Sequence, residues 1–65
     1  MEWVAVYKTN KMFDAELCKT KLEHHEIPAV IINKQDSSYL AFGYIEVHVP
    51  AAQRDNALLI IQEQE

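Results

Sequence analysis

The stretch Tyr44-Ile45-Glu46-Val47-His48-Val49 alternates without interruption between β-branched aliphatic residues and polar or aromatic ones, and Pro50 closes it. A period of two places Ile45, Val47 and Val49 on one side of an extended chain and Tyr44, Glu46 and His48 on the other. Such a strand is buried on one face only, so the fold must be layered, with a sheet covered on one side.

The rest of the chain supplies partners for that strand. Trp3 to Tyr7 alternates as well, with Val4 and Val6 facing one way and Trp3, Ala5 and Tyr7 the other, which predicts a first strand. Thr9-Asn10 provides N-cap chemistry, and Met12, Ala15, Cys18 and Leu22 follow at spacings that make one helix face. Asp14 and Glu16 early in that segment, and His24 and His25 late, complement the helix dipole at both ends. Pro28 disfavours the helical region for Ile27, so the helix should end near Glu26. Ala29 to Ile32 is short and largely β-branched and reads as a buried strand. The polar run Lys34 to Ser38 reverses the chain. From about Ala51 to Gln62, the residues Arg54, Ala57, Leu58 and Ile61 recur at helical spacing.

The predicted order is therefore β-α-β-β-α. A right-handed crossover followed by a hairpin gives a three-stranded antiparallel sheet in the order 1-3-2, with two helices on one face: an α+β, ferredoxin-like arrangement without its last strand. The free edge of the first strand, where a fourth would pair, is expected to stay open unless something covers it.

With 49% hydrophobic and 25% charged residues among 65, the composition is that of a globular chain, and residues 1–65 are expected to form one domain. Cys18 is the single cysteine; a secreted domain this small would ordinarily need disulfides, so a cytoplasmic location is expected. The run Trp3 to Tyr7 is too short for a signal peptide or a membrane span. A net charge of -4 argues against nucleic-acid and membrane partners.

Several segments together carry a family resemblance: Trp3-Val4-Ala5-Val6-Tyr7, Ala15-Glu16 and Leu22 in the helix, Ile27-Pro28-Ala29-Val30, Asn33-Lys34-Gln35-Asp36-Ser37-Ser38-Tyr39, and Val49-Pro50. The chain resembles a small bacterial family classed as signal-transducing domains, whose fold is grouped with the PII nitrogen-signalling proteins. The resemblance implies a ferredoxin-like fold and a regulatory or binding role, and no catalytic activity. Relatives often carry Gly where this chain has Glu26. Glycine would suit a left-handed helix cap, so Glu26 implies a different helix end here. PII proteins use the loop between their second and third strands for ligands; the segment Lys34 to Phe42 takes that position but is much shorter, so PII's ligands are not carried over.

Two candidate sites follow. The loop residues Lys34, Asp36, Ser37, Ser38 and Tyr39 mix polar and aromatic groups as a small-ligand or peptide site would, although turn capping accounts for the same residue types. Trp3, Tyr7, Tyr44 and His48 gather aromatic surface on the sheet face away from the helices, which suggests self-association through that face or through the open edge. Leu59 or Ile60 could also meet another chain, because Leu58 to Ile61 is apolar around more than one helix face. Cys18, His24, His25 and His48 lack the paired close spacings of a structural zinc site, and no metal or cofactor is expected. Asp36 with Ser37 or Ser38 and His48 makes no convincing nucleophile and base set, and a single glycine excludes phosphate-cradling loops. The sequence thus predicts a non-catalytic interaction or regulatory module that forms a homo-oligomer and meets a further protein partner, and as the alternative a small-ligand sensor at the loop.

Overall fold

A computed structural model describes residues 2–34 and 44–62. Strand β1 spans Trp3–Thr9, helix α1 Met12–His24, strand β2 Val30–Asn33, strand β3 Ile45–Pro50, and helix α2 Arg54–Gln62, preceded by a 3-10 turn at Ala51–Gln53. The sheet order is β1-β3-β2, and both outer strands run antiparallel to β3. This is the ferredoxin-like β-α-β-β-α arrangement, in which the strictly alternating segment becomes the central strand.

One cluster forms the core. Ile45, Val47 and Val49 on β3 are at most 1% exposed and meet Ala15, Cys18 and Leu22 of α1 and Ala57 of α2. Both helices therefore cover the same side of the sheet, where alternate β3 residues place their branched side chains. Fully burying side chains of this size contributes about 1.5–3 kcal/mol each. Burial pushes the Cys18 thiol up to about 11, with nearby Lys21 opposing the rise.

The helix boundaries differ from expectation in their chemistry. The N-cap of α1 is Lys11, which makes no side-chain cap bond. Thr9 instead ends β1, and its hydroxyl oxygen accepts a hydrogen bond from the Lys11 N–H at 3.1 Å. Met12, expected on the inward face, is 39% exposed, whereas Ala15, Cys18 and Leu22 are buried as their spacing requires.

At the other end, Glu26 does not change the helix stop. It adopts φ 62°, the left-handed conformation expected of glycine. Its N–H donates to the Glu23 carbonyl at 2.9 Å, and the Ile27 N–H donates to the Leu22 carbonyl at 3.0 Å. These two bonds make the Schellman motif, and buried Ile27 and Leu22 supply its hydrophobic partner contact. The motif's geometry prevails because both bonds satisfy carbonyls that the helix end would otherwise leave free. The cost of a β-carbon in that region is about 1–2 kcal/mol.

Strand β2 is also less buried than its composition suggests. Ile31 faces the core, but Val30 and Ile32 are 41% and 38% exposed. At a sheet edge with helices on one side, neighbours of an inward residue must point outward.

Candidate functional site

The side of the sheet opposite α1 and α2 is assembled from all three strands. Across it, Trp3 lies opposite Pro50, Ala5 and Val30 flank His48, and Lys8 and Ile32 flank Glu46. The Lys34 N–H donates to the Tyr44 carbonyl at 2.8 Å and so extends the β2–β3 pairing by one more pair.

One irregularity in β1 determines which residues reach this face. Ala5 lies opposite His48, yet Tyr7 lies opposite Val47, so Val6 is an extra residue in a β-bulge. Beyond a bulge, the alternation of the strand reverses relative to its partner. Tyr7 consequently packs against the core together with Val6, and the outward position is taken by Lys8. The expected placement of Tyr7 beside Trp3 on the open face is corrected by this register. Trp3, Tyr44 and His48 share that side of the sheet, with Trp3 and Tyr44 at its opposite ends.

The face has an apolar frame around a charged centre. Trp3 is 39% and Tyr44 53% exposed, and Val30 and Ile32 are similarly open to solvent. Between them, the Glu46 and His48 side chains retain only 13% and 16% exposure. His48 Nε2 donates to Glu46 Oε1 at 2.9 Å, and Lys34 Nζ approaches the same oxygen at 3.3 Å. The His48 hydrogen bond, opposed by partial desolvation and aided by Lys34, holds the Glu46 carboxyl below its ordinary value. Lys8 Nζ sits over the Tyr44 ring, 5.3 Å from its centroid, within the range of a cation–π contact.

Lys8, Val30 and Ile32 are members of this surface that the sequence reading did not place on it. Val30 and Ile32 had a visible signal, because they flank Ile31 at a spacing of two. Lys8 had none, since the bulge leaves the local sequence pattern intact. Of the loop candidates, Lys34 alone is described, and its ammonium group turns to Glu46; Asp36, Ser37, Ser38 and Tyr39 lie outside the described residues. Ile60 packs against the core, whereas Leu59 is 60% exposed.

The chemistry available on this surface is adhesion: apolar contact, a cation over an aromatic ring, and an ion-paired hydrogen-bond group at the centre. Among the described residues, no three His, Cys, Asp or Glu side chains stand together as a metal site would require. Also among the described residues, no helix is long and apolar enough to cross a membrane. Comparison with curated proteins and with solved structures gave no match. A family model matches residues 3–65, and the chain belongs to that family, whose description reads "Putative prokaryotic signal transducing protein".

Proposed function

We propose that the domain is a non-catalytic interaction module of a cytoplasmic signalling system, and that it self-associates through its open sheet face. The observation that carries this reading is the frame of Trp3, Val30, Ile32 and Tyr44, each more than a third exposed, around the Glu46–His48 pair. Exposed apolar side chains gathered on one face commonly mark an interaction site.

A second copy suits the face because it carries both signs of charge. Lys8 and Lys34 flank Glu46, so a two-fold related copy can set ammonium groups against a carboxylate in both directions. With strands about 4.8 Å apart and a rise of about 3.3 Å per residue, the three strands outline a face of roughly 300 Å², so two such faces meet over roughly 600 Å² together. A contact of that size belongs to the weak, transient end of protein–protein interfaces.

The edges are poorer candidates. β1 is interrupted by its bulge at Val6, and β2 has only four residues. Bulges and short edge strands are both means of discouraging edge pairing.

Sedimentation analysis at micromolar concentration tests the proposal. The wild-type chain should sediment as a concentration-dependent oligomer and Trp3→Ser as a monomer with unchanged circular dichroism. A strictly monomeric wild-type chain would sink the reading.

A further inference from the structure

On the helical side of the molecule, a cleft of about 490 Å³ opens between the C-terminal end of α1 and the beginning of α2. Its volume falls within the range of small-molecule sites, and its mouth is wide open to solvent. Buried Ile27, half-buried Ile60 and exposed Leu59 give it apolar walls, and His25, Glu26 and Asn56 line it with polar groups. Asn56 Nδ2 donates to Gln53 Oε1 at 3.2 Å, so the two amides hold each other at its edge.

Two independent observations meet at Glu26. It lines the cleft, and it occupies a left-handed backbone position where any β-carbon is costly. A glycine would close the Schellman motif without that cost. The side chain places a carboxylate at the cleft, and no lysine or arginine is among the described residues that line it. The helix ends do not determine its sign: the C-terminal pole of α1 carries roughly half a negative charge and the N-terminal pole of α2 roughly half a positive one. The full charge of Glu26 then dominates.

We propose that this cleft binds a small organic cation, an ammonium group on a short apolar body, with Glu26 holding the ammonium and Leu59 and Ile60 covering the carbon chain. The site lies in the helical layer, away from the open sheet face, and its occupancy is independent of self-association.

The test is a titration of isotope-labelled protein followed by NMR, with n-butylammonium and butyrate as probes of equal carbon number. Butylammonium should shift the His25, Glu26 and Asn56 signals saturably, leave Val30 and His48 unmoved, and outcompete butyrate. Because a charge-assisted hydrogen bond is lost, Glu26→Gln should weaken binding about tenfold or more. Glu26→Gly should weaken it equally while raising the melting temperature, which separates recognition from folding. Butyrate binding as well as butylammonium, no saturation by either probe, or undiminished binding by Glu26→Gly would each overturn the proposal.

Discussion

The two faces of β3 are made from the same six residues and live under opposite rules. Ile45, Val47 and Val49 point into the helical layer and are essentially excluded from water, whereas Glu46 and His48, one position away, lie among exposed Trp3, Val30, Ile32 and Tyr44. The inner face is held by packing, where every methylene is felt. The outer face has apolar side chains that are more than a third exposed among the described residues. The comparison teaches that stability and contact potential are divided between the faces, so each can be altered without the other.

The division is broken most sharply by one residue type in two places. Val47→Ala should destabilise by about 2.5 kcal/mol, the sum of lost burial and a residual cavity, whereas Val30→Ala should cost less than about 0.5 kcal/mol. Urea denaturation of dilute protein measures both, and similar losses would erase the distinction. Cys18 reports on the inner layer as well: with its pKa pushed up to about 11 and 2% exposure, it should react with iodoacetamide at pH 8 only as fast as the domain opens.

On the outer face, the larger effect should be on association. Tyr44→Ala removes an exposed ring and the platform beneath Lys8. It should raise the Kd of self-association, read by sedimentation, about tenfold, equivalent to about 1.4 kcal/mol, with little change in monomer stability. A large fall in the melting temperature of the dilute monomer would show that the ring is structural.

Glu26→Gly offers a gain in place of a loss. It should stabilise by about 1 kcal/mol, seen as a higher urea midpoint at unchanged slope, because the left-handed cap no longer carries a β-carbon. An unchanged or lower midpoint would mean that the Glu26 side chain repays its backbone cost within the fold.

The smallest effect is a pH dependence. The Glu46 carboxyl is held below its ordinary value chiefly by the His48 hydrogen bond. A folded value lower than the unfolded one means that the stabilisation is complete above the ordinary carboxylate range and is lost as pH falls through the depressed value. Thermal melts between pH 7 and pH 3 should therefore show a shallower acid limb for Glu46→Gln than for wild type. Identical limbs would remove Glu46 from the acid response.

Much of the architecture was legible because it depends on local rules. Period-two alternation in residues 44–49, helical spacing at Ala15, Cys18 and Leu22, and Pro28 and Pro50 as boundaries predict the elements, their order and the inward residues of the central strand. The candidate surface was legible in part: Trp3, Tyr44 and His48 share the open face, Tyr7 does not, and Val30 and Ile32 were hidden by reading β2 as buried.

What remained illegible depends on partners distant in the chain. An extra residue at Val6 can be recognised only against the β3 register, and that register alone sends Tyr7 inward and Lys8 outward. Likewise, Glu26 carries no conformational preference for a left-handed turn; the paired carbonyls of Leu22 and Glu23 and the burial of Ile27 impose it. Side-chain periodicity is a property of single segments and survives in the sequence, whereas register and backbone strain exist only between segments, where packing decides them.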